Sequence, residues 1–560
     1  MGGDESNLRT GGRILVDCLK VHGVDMAFCV PGESYLPVLD ALYDTPEIDL
    51  VVCRQEGGAA MMADAYGRLT GRPGVCFVTR GPGATNAAAG VHVAFQDSTP
   101  LVLFIGQVGR EALDREAFQE VDFRLMFQPL AKWAAEIQRA DRIPEYVSRA
   151  FHAAASGRPG PVVLSLPEDV LYERAAATMT GRYREIQPAP APEDMAKLRA
   201  MLAAAKRPIV VLGGRGWDQQ AWEDMQAFAE ANALPVVASY RCQDRFDNGH
   251  PCYAGDIGIG PNPRLKQRIA DCDLLLAVGA RLGEVTTDRY TTLTPPRTRQ
   301  PLVHVYPGVE ELGRVFQPDL PIAAGMKTFA AAARALPPVN AAWAGWTKEA
   351  RADYLAWIEP PRVPGDLQMG EIMAWLRKRL PEDAIVCNGA GNYTVWIHRF
   401  HQHRRFLTQL APTSGSMGYG TPAAVAAKRL FPERVVVAFA GDGCFLMNGQ
   451  ELATAVQYGL DIVILVVNNG MYGTIRMNQE MEYPGRVKGS ELRNPDFALL
   501  ARAYGAHGET VKRTEEFEPA FERALAAGKP ALLDLHLHPE AITTTRTLTE
   551  IREQALAAKG

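Results

Sequence analysis

The sequence has few cysteines, and none is arranged for cross-linking or metal binding. Nine stand among 560 residues, an odd number, and no two form a C-x-x-C pair. That spacing argues against a disulfide scaffold and against a structural zinc site, and a reducing, cytoplasmic setting is expected. Long hydrophobic runs are missing too. The longest apolar stretches, such as Val435–Ala440 and Ile462–Val467, are strand-sized and fall far short of the ~18 residues a membrane span needs. Neither sign of charge dominates: 59 basic residues face 64 acidic ones, for a formal net charge of −5. No basic excess points to nucleic acid, and no block of like charge marks an interaction tail. The segment Met1–Thr10 is polar and carries two acids, which argues against a secretory signal. Short repeats and long low-complexity segments are absent as well.

What is present is an alternation. Apolar runs bounded by glycine or proline, among them Leu101–Gly106, Val162–Leu166, Pro208–Leu212 and Leu274–Val278, are separated by alanine-rich amphipathic stretches. That pattern predicts parallel sheets covered by helices on both faces, hence an α/β fold. Two proline-rich joints, IQPAPAPE at 186–193 and IEPPRVPG at 358–365, read as stiff extended spacers. They divide the chain into residues 1–185, 186–360 and 361–560, each expected to be a doubly wound parallel-sheet domain.

The densest chemistry lies in the third part. The run Val435–Ala440 leads into Gly441-Asp442-Gly443. A helical stretch is expected over Gly449–Gly459, and a second run, Ile462–Val467, ends in Asn468-Asn469-Gly470. Asp442 and Asn469 are 469 − 442 = 27 residues apart, the length of one strand–helix–strand crossover. Such a crossover brings two strand ends together at the carboxyl edge of a sheet, where α/β proteins bind ligands. A carboxylate and an amide oxygen there are hard ligands suited to Mg²⁺, and the glycines would let backbone amides approach a diphosphate. GDG alone would be a turn; the pairing with NN one crossover later is what makes it specific. The first part carries a second cluster, Arg54-Gln55-Glu56-Gly57-Gly58-Ala59-Ala60, followed by Arg80-Gly81-Pro82-Gly83-Ala84-Thr85-Asn86 after the run Val75–Thr79.

Taken together these motifs resemble the thiamine diphosphate-dependent enzymes, in the domain order pyrimidine-binding, central Rossmann-like and diphosphate/Mg-binding. The resemblance implies Mg²⁺ held by Asp442, the Asn469 side chain and the Met471 carbonyl. It places Gly443 and Cys444 at the diphosphate, with help from the turn Asn388-Gly389-Ala390-Gly391-Asn392. Glu56 matches the acid beside the aminopyrimidine N1′, whose proton promotes the tautomer that activates the thiazolium; a lone acid at a helix start would otherwise be a macrodipole partner. The Gly415 carbonyl would accept from the 4′-amino group, and Met417 would wedge the cofactor into its bent shape, unless it is simply a core methionine.

Within the family the chain looks most like acetolactate synthase and related carboligases, on GPGATN (81–86), Asp97-Ser98-Thr99-Pro100 and Ala117-Phe118-Gln119-Glu120. Phe118 and Gln119 would face the substrate. Pro31-Gly32-Glu33-Ser34 departs from the synthase pattern and puts an acid, Glu33, where it could relay protons or be a surface loop residue. A tryptophan that tunes acceptor choice is absent from Gly473–Asn478. The resemblance therefore implies decarboxylation of a pyruvate-like 2-keto acid and ligation to a second carbonyl. Simple decarboxylation, a 2-hydroxyacyl-CoA lyase and a flavin-dependent pyruvate oxidase are the alternatives. A homodimer or homotetramer with active sites at the subunit interface is implied, with no nucleic acid or membrane partner. FAD in the central domain stays open, and weighing against it is Arg281-Leu282-Gly283-Glu284 in place of the Arg-Phe-Asp-Asp stretch that accompanies it.

Overall fold

A computed structural model describes residues 8–559, which fold as two compact units, residues 8–186 and 187–559. In the first unit the strands are β1 (Arg9–Thr10), β2 (Met26–Cys29), β3 (Asp49–Val52), β4 (Gly74–Val78), β5 (Leu101–Gln107), β6 (Trp133–Glu136), β7 (Pro161–Pro167) and β8 (Arg174–Ala175). Six of them form a parallel sheet in the order β3-β2-β4-β5-β7-β6, and β1 pairs antiparallel with β8.

The second unit carries two further six-stranded parallel sheets. The first contains β9 (Pro208–Leu212), β10 (Val236–Ala238), β11 (Tyr253–Asp256), β12 (Leu274–Val278), β13 (Leu302–Tyr306) and β14 (Leu320–Ala323), in the order β11-β10-β9-β12-β13-β14. The second contains β15 (Ile385–Asn388), β16 (Gln409–Leu410), β17 (Val436–Gly441), β18 (Val463–Asn468), β19 (His507–Val511) and β20 (Ala531–His536), in the order β16-β15-β17-β18-β20-β19. The fold class is thus three parallel-sheet α/β domains.

The central strands are apolar along their length because helices cover both faces. Every residue of β4, β5, β7, β9 and β12 is buried, and each fully buried Val, Leu or Ile contributes roughly 1.5–3 kcal/mol. In each large sheet the chain first builds outward on one side of its first strand and then crosses to the other. The crevices where the direction reverses lie between β2 and β4, between β9 and β12, and between β15 and β17. Ligands of doubly wound sheets sit at such switch points, outside the carboxyl ends of the strands.

One local expectation changes. Helix was expected from Gly449, but the chain becomes helical at Asp442 and runs to Asn448, and a second segment covers Glu451–Gln457. Gly441 is the last strand residue, so Asp442 opens a helix directly at the sheet edge. An acid in a first turn is favoured by the helix dipole, and the backbone interruption at Gly449-Gln450 separates the two helices. Among the described residues no helix is long and apolar enough to cross a membrane.

Candidate functional site

At the carboxyl edge of the first sheet, Glu56 is the first residue of the helix Glu56–Thr70, which follows β3. The Gln55 side chain caps that helix by accepting from the Gly58 amide at 2.9 Å. Glu56 itself is half-buried, and its Oε2 accepts from Asn86 Nδ2 at 2.9 Å. A methyl group on Gly83 would lie 3.5 Å from Glu56 Oε1, so the GPGATN turn comes up against this carboxylate. Asn86 had been read only as part of that motif; its bond to Glu56 adds a role.

Glu33, Phe118 and Gln119 meet around Arg80, at the β2/β4 switch point. Arg80 is buried, and its guanidinium donates to Glu168 Oε2 at 3.1 Å, to Glu33 Oε1 at 3.5 Å and to the Phe118 carbonyl at 3.2 Å. Glu33 is exposed. Phe118 is 72% exposed, unusual for so large an apolar group. Gln119 has left-handed backbone, φ 65°, and packs on Gly81, where a methyl group would meet Gln119 Cβ at 2.7 Å. Glu120 holds this loop by accepting from the Asp114 and Ala117 amides at 2.8 and 2.9 Å.

The β15/β17 switch point gathers the other group. Asp442 is buried, with Oδ1 accepting from the Gly443 amide at 2.9 Å and Oδ2 accepting from the Gly470 amide at 2.9 Å and from Asn494 Nδ2 at 2.7 Å. Burial pushes its carboxyl up from the ordinary carboxylate range, opposed by the donors from Asn494, Gly443, Gly470 and Met471. Asn494 lies in a loop that no sequence pattern marks, and it also donates to Asn468 Oδ1 at 3.0 Å.

The two asparagines after β18 are used differently. Asn468 donates to Asp534 Oδ1 at 3.1 Å and accepts from Asn494 and, at 3.3 Å, from the Gly470 amide. Asn469 makes no side-chain hydrogen bond among the described residues, and neither does the Met471 carbonyl accept one. One buried carboxylate, one free amide side chain and one free carbonyl are therefore available at the same strand ends. Among the described residues no group of three or more His, Cys, Asp or Glu gathers to hold a metal, so a cation here would take mostly neutral oxygens.

Around this set, Gly389 donates its amide to the Tyr393 hydroxyl at 2.9 Å, and that hydroxyl pairs with Cys444 Sγ at 3.3 Å. Cys444 Sγ also accepts from the Gly418 amide at 3.2 Å. The buried Cys444 side chain thus ties together the Gly389-Ala390-Gly391 turn and the loop carrying Gly415 and Met417. Tyr393, one residue beyond the turn noted in the sequence, is the part missed. Gly443 makes room for Tyr472, since a methyl group there would lie 2.5 Å from its ring. Gly415, with φ 69°, has nothing within 4 Å, and Met417 is half-buried.

Comparison with known proteins gives three family matches in chain order: "Thiamine pyrophosphate enzyme, N-terminal TPP binding domain" over residues 9–126, "central domain" over 195–333, and "C-terminal TPP binding domain" over 389–535. The chain is 32% identical to the acetolactate synthase large subunit of Corynebacterium glutamicum, across 95% of this chain and 87% of that protein. It is 31% identical to the acetolactate synthase isozyme 2 large subunit of Escherichia coli, across 94% of this chain and 95% of that one.

Proposed function

The chain belongs to the thiamine pyrophosphate enzymes, and on that premise we propose that it is a decarboxylating carboligase of the acetolactate synthase kind, acting on a pyruvate-like 2-keto acid and a second carbonyl compound. The observation that carries the reading is the division of labour in the asparagine pair: Asn468 is committed to the fold while Asn469 and the Met471 carbonyl stay free beside buried Asp442.

That donor set fits Mg²⁺, which favours hard oxygens and keeps water and phosphate oxygens as its other ligands. Asp442, Asn469 and Met471 would hold the metal. Gly389, Ala390, Gly391, Gly443 and Cys444 would border the diphosphate, and Gly415 and Met417 the pyrimidine. When bound, thiamine diphosphate supplies the electron sink for loss of CO₂ from a 2-keto acid. Glu56 holds a proton at the pyrimidine nitrogen, with Asn86 keeping its carboxyl in orientation. Phe118 and Gln119 would border the substrate, and Glu33, which accepts from Arg80, would move a proton. The oligomer is part of the proposal: a homodimer or homotetramer in which one copy supplies Glu56 and another Asp442.

A flavin fits the central domain poorly. At the β9/β12 switch point a methyl group on Gly214 would meet the Gly279 carbonyl at 2.0 Å, and the Gly213 carbonyl already accepts from buried Trp217 Nε1 at 2.8 Å. Arg245 Nε donates to the Gly214 carbonyl at 3.2 Å. The two strand-end turns pack backbone on backbone, and the Gly213 and Gly214 carbonyls are taken by Trp217 and Arg245.

The test is a product assay of the purified protein with thiamine diphosphate, Mg²⁺ and pyruvate, read by NMR. Acetolactate is expected; acetaldehyde alone would replace the carboligase with a decarboxylase. Glu56→Gln should bind cofactor normally yet slow thiamine C2 proton exchange by roughly 10²-fold or more. Unchanged exchange would remove Glu56 from its role.

A further inference from the structure

One cation of the central domain crosses to the diphosphate-binding sheet and finds no counter-charge there. Arg241 follows β10 in left-handed backbone, φ 58°, and is 3% exposed. Non-glycine residues hold such a conformation only where the surroundings impose it. Its guanidinium donates through one terminal nitrogen to the Pro412 carbonyl at 2.5 Å. Pro412 lies at the carboxyl end of β16, three residues before Gly415. No carboxylate lies within 4 Å of Arg241 among the described residues, and its Nε is buried with no partner at all.

The surroundings are polar and lead toward the cofactor turn. The guanidinium carbon sits 5.0 Å from the centre of the Tyr240 ring. That ring meets His398 edge-on at 6.3 Å. His398 Nε2 pairs with Asn388 Oδ1 at 3.2 Å, and Asn388 Nδ2 donates to the Gly389 carbonyl at 2.9 Å. Asn388 is the last residue of β15, so this chain of contacts ends at the switch point itself. Ser414 Oγ, two residues past Pro412, is a second buried polar atom without a partner. His398 and Ser414 are only half-buried as residues, and Gly415, next to Ser414, is exposed. Burial first, then the neighbouring Arg241, holds His398 well below the ordinary histidine range.

A buried guanidinium without an anion is costly, and a planar fork of donors is the group that recognises carboxylates best. We propose that Arg241 is a carboxylate-binding residue of the active site, anchoring the carboxylate of a 2-keto acid at the carboxyl edge of the diphosphate-binding sheet. The inference rests on the proposed thiamine-dependent reaction and names the part of its substrate that this residue takes. That carboxylate belongs either to the donor keto acid or to the acceptor.

The experiment compares wild-type holoenzyme with Arg241→Met and Arg241→Lys. Calorimetry with thiamine diphosphate and Mg²⁺ comes first, because failure of the wild type to bind them would reject the thiamine reading itself. Oxalate, an unreactive carboxylate probe, is then titrated into each holoenzyme, and pyruvate turnover is followed as CO₂ release and as ligated product. Arg241→Met should keep cofactor affinity within about twofold, weaken oxalate roughly tenfold or more and raise KM for pyruvate by a similar factor, with partial recovery in Arg241→Lys. Loss of CO₂ release and product together assigns the carboxylate to the donor; loss of ligated product with CO₂ release intact assigns it to the acceptor. The proposal is overturned if wild-type holoenzyme binds no oxalate, if oxalate affinity and KM are unchanged in Arg241→Met, or if cofactor affinity falls in parallel with them, which would make Arg241 a strut for the Pro412 loop.

Discussion

The central and the diphosphate-binding sheets share a plan, yet their switch points have opposite contents. Both are six-stranded and parallel, both reverse direction beside their first strand, and both place glycines there. In the central sheet the glycines bring backbone against backbone: a methyl group on Gly214 would meet the Gly279 carbonyl, and one on Gly279 would lie 2.5 Å from the Gly213 carbonyl. The remaining acceptors go to Trp217 and Arg245. In the other sheet the glycines face side chains, Tyr472 for Gly443 and Cys444 for Gly389, while Gly415 has open space. A buried carboxylate and two free oxygen donors stand beside them. A glycine-rich turn at a strand end therefore says where a ligand could sit; which acceptors and donors remain uncommitted says whether one is wanted.

The sharpest way to break this comparison is to remove the carboxylate. Asp442→Ala should abolish Mg²⁺-dependent binding of thiamine diphosphate while circular dichroism stays native; calorimetry showing intact binding would place the metal elsewhere. Next in size is Glu480, whose side chain is fully buried and accepts from Arg552 at 2.6 and 2.8 Å and from Arg476 at 3.0 Å. This cluster clamps the helix Leu548–Ala557 onto the helix Gly473–Glu482 that follows Met471. Glu480→Gln should cost about 3 kcal/mol in urea unfolding, the scale for breaking a buried pair.

The same carboxylate predicts a pH dependence. The bond to Arg552 leads the effects that hold Glu480 down at about 2 from its usual 4.5. Its contribution to stability is thus complete above the unfolded value and fades as pH falls from about 4.5 toward about 2. Urea midpoints across that window should converge for wild type and Glu480→Gln; parallel curves would sink the assignment.

At the filled crevice the outcomes should be reversed in kind. Gly214→Ala, at φ 68° and in contact with the Gly279 carbonyl, should lower stability by about 2 kcal/mol or more without changing cofactor affinity. A matching loss of thiamine diphosphate binding would mean the two edges are coupled. Trp217→Phe, which removes the donor to the Gly213 carbonyl, should cost about 1 kcal/mol, and a gain of flavin binding in that variant, read by absorbance, would show the indole to be a plug.

Much of the fold could be read from the chain because buried parallel strands are nearly continuous apolar runs, and glycine or proline ends them. Val435–Ala440 and Ile462–Val467 differ from β17 and β18 by one residue at each end. The distance from Asp442 to Asn469 encoded a crossover, so that pair was legible as well. The helix starting at Asp442 was not, since three of its first residues, Asp-Gly-Cys, are poor helix formers held by the sheet edge beneath them. Asn494, Tyr393 and Arg241 were illegible for another reason. Their partners lie 52, 51 and 171 residues away along the chain, and no local periodicity carries such contacts.

The nine cysteines, all reduced and all buried, give the molecule a set of silent reporters. Burial pushes the thiols of Cys18, Cys29 and Cys272 up to about 12, and Cys252 to about 11, so reactive thiolate is scarce at neutral pH. Cys29 and Cys76 sit in the first sheet, Cys252 and Cys272 beside strands of the second, and Cys387 in the third. Alkylation should therefore wait for a strand to open, and the order in which these positions become labelled would time the opening of each sheet separately, without a single engineered probe.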